Sequence, residues 1–162
     1  MAADTGATIA NALDLTDHRL RQVGVDIEYR RPHPPIGVAA NPVHLEQVLI
    51  NLIANAADAM EDAPLRVLSI GVSSDGSTAC ISISDTGTGI AEADRATLFD
   101  PFFTTKPAGK GLGLGLAISY GLVRDSGGAL TVRSSPGKGS TFTITLPART
   151  AGVAKPSARV SA

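Results

Sequence analysis

A chain of 162 residues with 43% hydrophobic side chains, 4% aromatic ones and no Trp is long enough for a sizeable core, which it must build from Leu, Ile, Val and Ala. Its 14 Lys and Arg against 15 Asp and Glu leave a net charge of −1, which excludes non-specific nucleic-acid binding and makes any polyanion site local. One cysteine, Cys80, excludes an internal disulfide, fits a reducing compartment and reads as a buried inert thiol, and no stretch approaches the ~18–20 apolar residues of a membrane span.

Residues 1–12 lack a basic segment followed by an apolar one, so they read as a flexible lead-in to a soluble, cytoplasmic domain spanning 13–147. Ile9, Leu13, Thr16 and Leu20 predict a helix over 8–24 that stops at Gly24. Residues 25–30 alternate like a half-buried strand, Pro32, Pro34 and Pro35 break it, and 36–39 read as a short second strand. Asn41 then caps a helix over 42–60, PVHLEQVLINLIANAADAM. Its apolar stripe is Leu45, Val48, Leu49, Leu52, Ile53 and Ala56, which must face a core. A second stripe carries His44, Gln47, Asn51, Asn55 and Asp58. This is either a solvated polar face or a row of oxygens suited to Mg²⁺, which takes one or two protein ligands and completes its shell with water and phosphate.

Residues 65–72 and 78–84 are β-rich runs around the turn SSDGS and predict an antiparallel hairpin. It ends in DTGTGI, residues 85–90: a carboxylate and two glycines that form either a plain turn or a wall against a flat ligand. LFDPFFTTK, residues 98–106, crowds three Phe around a proline with neither helical nor strand period, and so needs something to fold over. GKGLGLGL, residues 109–116, opens an apolar-periodic helix over 117–125, a place where successive N–H groups favour phosphate. Its glycine spacing matches neither common nucleotide loop. Residues 129–134 and 141–146 read as two more strands joined by SPGKGS, and 148–162 as a disordered Ala/Pro/Ser-rich tail. The three histidines show no zinc spacing.

Taken in order, the Asn-bearing helix, DTGTGI, LFDPFFTTK, GKGLGLGL and GKGSTFTITLP resemble the catalytic, ATP-binding domain of two-component sensor histidine kinases, within the GHKL ATPase superfamily. The stretch FFTTKPAGKGLGLGLAISYGLVRDSGG is similar to the branch of nitrogen-regulation and C4-dicarboxylate sensors. The resemblance implies the Bergerat-type ATP-binding fold, a two-layer α/β sandwich with a mixed sheet and helices on one face. It implies ATP and Mg²⁺ as ligands, with Asn55 on the metal and phosphate oxygens and Asn51 supporting it. Asp85 would accept from the adenine amine, with Gly87, Gly89 and Ile90 shaping that wall and Thr141 closing the pocket. Phe99, Phe102 and Phe103 would anchor a lid that moves over 104–113, Lys106 and Lys110 would neutralise phosphate charge, and Gly111, Leu112, Gly113, Leu114, Gly115 and Leu116 would run along the triphosphate.

Two departures refine the expectation. Transporting and topology-changing relatives carry a glutamate, a general base for water, where this chain has Asn51, so hydrolysis should be weak. No stretch before His18 is long enough for the helix pair that bears the acceptor histidine, so the expected partner is a separate dimerisation domain and, through it, a response regulator. The isolated chain is expected to be monomeric, with no nucleic-acid or membrane contact. A nucleotide-regulated interaction module without chemistry and a protein serine kinase of the same superfamily are the alternative readings.

Overall fold

In the computed structural model, which describes residues 1–103 and 114–149, the first helix begins earlier than its apolar spacing predicts. A short strand, β1 (Ala3–Asp4), leads straight into α1 (Thr5–Val23). The Asp4 carboxylate accepts from the N–H groups of Gly6 and Ala7 at 2.9 and 3.3 Å and so caps the helix. Thr5, Ile9 and Ala12 are buried, so residues 3–12 belong to the packed structure and do not form a flexible lead-in. At the other end Gly24 takes φ 84° and its N–H returns to the Leu20 and Arg21 carbonyls, as predicted.

Strands β2 (Asp26–Tyr29) and β3 (Gly37–Val38) follow, and then α2 (Pro42–Ala59). Asn41 caps α2 by accepting from the Val43 N–H at 2.8 Å, and Pro42 fills the first helical position. All six residues of its predicted apolar stripe are buried. The chain continues through the hairpin β4 (Val67–Ser74) and β5 (Thr78–Asp85), a one-turn helix α3 (Glu92–Arg95), then α4 (Gly115–Asp125), β6 (Ala129–Ser134) and β7 (Ser140–Pro147).

Five strands form one sheet in the order β2-β4-β5-β7-β6, with β2 parallel to β4 and the remaining pairs antiparallel. Strict alternation gives it two unlike faces. Leu68, Ile70, Ala79, Ile81, Ile83, Leu130, Phe142, Ile144 and Leu146 point inward, and α1, α2 and α4 form the layer that covers them. Ser69, Ser82, Ser84, Thr141, Thr143 and Thr145 hold the opposite face. Cys80 belongs with these hydroxyls: it is half-buried, with Sγ 3.8 Å from Thr145 Oγ1, because Ala79 and Ile81 take the core positions on either side of it. It is not the core thiol that its apolar neighbours suggest.

β3 stays outside this sheet and pairs antiparallel with β1, Ala3 opposite Val38. Val38 also bridges Ala148, and the Arg149 N–H donates to the Gly37 carbonyl at 2.9 Å. Residues 148 and 149 are therefore paired, contrary to their assignment to a tail, and 150–162 lie outside the described residues.

Candidate functional site

Asp85 is the last residue of β5 and, by alternation, shares the inward face with Ile81 and Ile83. It is 7% exposed, and burial raises its carboxyl above the ordinary value, partly offset by the N–H groups of Gly87 and Ser140. Gly87 donates to Oδ1 at 2.9 Å. A buried carboxylate with a raised pKa, where an apolar residue would pack at no such cost, makes Asp85 a candidate functional position.

Three backbone segments lock around it. The Thr88 N–H donates to the Ala59 carbonyl at the end of α2, and the Thr86 hydroxyl donates to Leu65 O at 2.6 Å while accepting from Val67 N–H at 2.9 Å. A Cβ on Gly87 would lie 2.3 Å from Ala59 O, one on Gly89 2.1 Å from Ser135 O, and one on Gly139 2.0 Å from Asp85 O. Glycine is required at these positions by protein packing against protein. At Gly87 and Gly89 this close approach of backbone to backbone holds the wall in place. Ser134 closes the arrangement: its Oγ accepts from the Ile90 N–H at 2.7 Å, donates to Gly139 O at 2.9 Å and lies 3.0 Å from Ser140 Oγ.

Thr141 does not face this pocket. Its Oγ1 lies 2.8 Å from Ser84 Oγ on the hydroxyl-lined outer face, whereas buried Ser140 is the register partner of Asp85. The signal was present in the sequence, because Phe142, Ile144 and Leu146 pointing inward places Ser140 inward and Thr141 outward.

The polar stripe of α2 divides among three tasks. Asp58 turns to α1 and pairs with Arg19 Nη2 at 2.8 Å. Asn51 is held by protein on every side: Oδ1 accepts from Gln47 Nε2 at 3.0 Å, and Nδ2 donates to Ser119 Oγ at 3.1 Å and to the Gly115 carbonyl at 3.3 Å. Asn55 is half-buried and makes no side-chain hydrogen bond among the described residues. It stands one helical turn from both Asn51 and Ala59, between α4 and the Asp85 wall. Among the described residues no three His, Cys, Asp or Glu side chains group as a cation cage. A lone amide oxygen at Asn55 fits Mg²⁺ that brings its own water and phosphate, and does not fit a cation held by protein alone.

Among the described residues the N-terminus of α4 has no side-chain cap, which leaves its first-turn N–H groups unpaired within the helix. Gly115 is exposed there, and Leu114 and Leu116 are half-buried, Leu116 against the core. Phe99 stacks on Tyr120 of α4 at 5.0 Å between ring centroids and meets the edge of Phe142 at 6.4 Å, and Phe103 packs against the core. Phe102 packs against none of the described core: it is 71% exposed with φ 68°, turned outward as the Phe103 N–H returns to Asp100 O. Lys106, Lys110, Gly111, Leu112 and Gly113 lie outside the described residues. A cleft of about 410 Å³ near Ile36, Gly76 and Arg149 sits at the far end of the sheet and contains none of these groups.

Residues 40–150 match the family model described as histidine kinase-, DNA gyrase B-, and HSP90-like ATPase. The chain belongs to this ATPase family. Membership implies ATP as the nucleotide, in agreement with the resemblance read from the motifs. The ATPase domain is 38% identical over 150 residues to the two-component sensor PprA of Pseudomonas aeruginosa, covering 89% of this chain and 16% of that protein. It is 36% identical over 146 residues to the sensor histidine kinase ZraS of Escherichia coli K12, covering 90% and 30%. Over 123 residues it is 42% identical to the C4-dicarboxylate transport sensor protein DctB of P. aeruginosa, covering 75% and 20%. The chain thus spans less than a third of these relatives. Among solved structures, the catalytic domain of histidine kinase ThkA superposes with a TM-score of 0.78 at 27% identity, covering 91% of this chain and 94% of that one. Full-length ShkA in complex with AMPPNP gives 0.78 at 31%, covering 93% and 31%. The one-sided sandwich expected from the sequence is the fold of sensor-kinase catalytic domains. No helix among the described residues is long and apolar enough to cross a membrane.

Proposed function

We propose that this ATPase-family domain binds Mg²⁺·ATP and passes the γ-phosphoryl group to a histidine imidazole on a separate dimerisation domain, from which a response regulator is served. The observation that carries this reading is Asn51. An amide whose oxygen accepts from Gln47 and whose nitrogen donates to Ser119 and Gly115 takes no proton from water at neutral pH, so α2 offers no general base at that position. An imidazole brings its own lone pair and needs no such base. Its nitrogen bonds to the γ-phosphorus as the bond to the β–γ bridging oxygen breaks, and ADP leaves with that electron pair.

Each residue has a task in that transfer. Asp85 accepts from the exocyclic amine and orients the base against the wall formed by Gly87, Gly89 and Ile90, with Ser140 beside it. The first turn of α4, from Leu114 through Leu116, directs N–H groups at the phosphates. Asn55 holds the metal, whose charge offsets that of the phosphates. Lys106 and Lys110 add positive charge. By itself the domain is a cytoplasmic monomer, and sedimentation equilibrium tests its oligomeric state.

The decisive experiment is incubation with γ-labelled Mg²⁺·ATP, with and without a separately made histidine-bearing domain. Acid-labile label on the added domain, abolished by Asn55→Ala, is the expected outcome. Acid-stable label, or none even when the two domains are fused, would overturn the reading.

A further inference from the structure

The contact between α2 and α4 contains one polar pin. Ser119 is fully buried, a position where alanine would pack with no polar atom to satisfy. A buried hydroxyl is costly unless it is hydrogen-bonded, and the Ser119 oxygen is served by Asn51 Nδ2 at 3.1 Å. The same nitrogen donates to the carbonyl of Gly115 at 3.3 Å. Both Asn51 amide protons are therefore used on α4, at its first residue and one turn further in. Two bonds to points one turn apart restrain the sliding of α4 along α2 more than either would alone.

We propose that Asn51 and Ser119 are positioning residues that set the first turn of α4 against Asn55, so that the unpaired N–H groups of that turn and the Asn55 amide meet the phosphates together. The proposal rests on reading this site as an ATP site, and it assigns Asn51 an action through α4 in place of direct contact with metal or phosphate. The pin serves the phosphate end alone. The Asp85 carboxylate, at the base end, accepts from the Gly87 and Ser140 N–H groups, whereas Ser119 is bonded to Asn51.

That division supplies the test. Dissociation constants for Mg²⁺·ATP and for adenosine are measured on the full chain and on Ser119→Ala, Asn51→Ala and the double variant, by calorimetry and amide NMR titration. Loss of one neutral hydrogen bond predicts about three- to ten-fold weaker ATP binding by Ser119→Ala, with adenosine changed by less than about two-fold. The double variant should bind ATP no more weakly than Asn51→Ala alone, because each partner acts through the other. Equal weakening of ATP and adenosine would reduce the pin to general stability, and additive losses would show that Asn51 acts without Ser119; either result overturns the proposal. If Asn51→Ala does not fold, Asn51→Asp substitutes: its carboxylate oxygen faces the Gly115 carbonyl, so ATP should weaken with no gain in hydrolysis. A rise in hydrolysis would mean that this position acts on water directly. Should the unaltered chain bind neither ligand, the site reading itself fails, a result distinct from ATP binding without the expected split.

Discussion

Replacing Gly139 by alanine tests whether the Asp85 wall is set by backbone packing. Gly137 and Gly139 sit in the same β6–β7 turn with φ 77° and 78°, so an L residue meets the same left-handed penalty at both, roughly 1–2 kcal/mol. The surroundings differ. A Cβ on Gly137 meets nothing within 4 Å, whereas one on Gly139 would lie 2.0 Å from the Asp85 carbonyl oxygen. That oxygen is backbone and cannot rotate aside, so the turn and the end of β5 must separate by about 1 Å or more, at the ~1–3 kcal/mol typical of overpacking. Gly137→Ala should therefore lose ~1–2 kcal/mol and Gly139→Ala ~2–5 kcal/mol, a large part of the 5–15 kcal/mol of an ordinary domain. Urea denaturation followed by far-ultraviolet circular dichroism reads both values, and ATP affinity should fall only in Gly139→Ala, where Asp85 is displaced. Equal losses in the two variants would refute the packing argument, since the steric difference between them would then carry no energy.

Burial raises the Asp85 carboxyl above its unfolded value, so its contribution to stability is fully present below the unfolded value and is lost as pH rises through the folded one. Thermal denaturation of the apo domain should show this loss just above the usual carboxylate range, and Asp85→Asn should remove it. The same variant should bind ATP about 10- to 150-fold more weakly, the equivalent of one hydrogen bond to a charged group, and binding by the unaltered chain should weaken as pH falls through that window. Phe99→Ala removes the stack on Tyr120 and should lower the melting temperature measurably, whereas Phe102→Ala, at an exposed ring, should stay within about 0.5 kcal/mol. Arg19→Ala breaks the α1–α2 brace at Asp58, a pair still 30% exposed on each side, and should cost no more than about 1 kcal/mol while leaving phosphoryl transfer intact.

Where one residue type carries a local physical instruction, the fold was readable in advance. Asn41 starts α2, Gly24 stops α1, and SSDGS turns the β4–β5 hairpin, each through backbone bonding that needs no distant partner. Three misses have other causes. Thr5, Gly6, Ala7 and Thr8 are small and give no apolar period, so the helix that Asp4 caps was invisible until Ile9. Four residues of α3 are too few to show a period at all. Pairing of β3 with β1 and Ala148 depends on contacts remote in sequence, which local alternation does not encode. In the candidate site, Asp85 stood out because a carboxylate between an apolar strand and two glycines is unusual, and the structure buries it there. Placing Thr141 beside Asp85 in preference to Ser140 ignored the period-two rule that the same strand obeys. The division of α2 between Asn51, Asn55 and Asp58 was beyond sequence reasoning, since it depends on what α1 and α4 present to each turn.

The hydroxyl-lined outer face of the sheet also guards against misalignment. Sliding β7 by one residue along β5 would turn Phe142, Ile144 and Leu146 to water and press Thr141, Thr143 and Thr145 into the core. Each exposed apolar chain would forfeit ~1.5–3 kcal/mol, and each buried hydroxyl left without a partner a further ~1–3 kcal/mol. Together these come to about 7–18 kcal/mol, comparable to the whole stability of an ordinary domain, so the shifted sheet is strongly disfavoured. Asp85 and Ser140 are themselves one rung of that ladder. The facing of acid and serine at the strand ends is thus enforced by plain threonines on the opposite face of β7, which take no part in the site's own bonding.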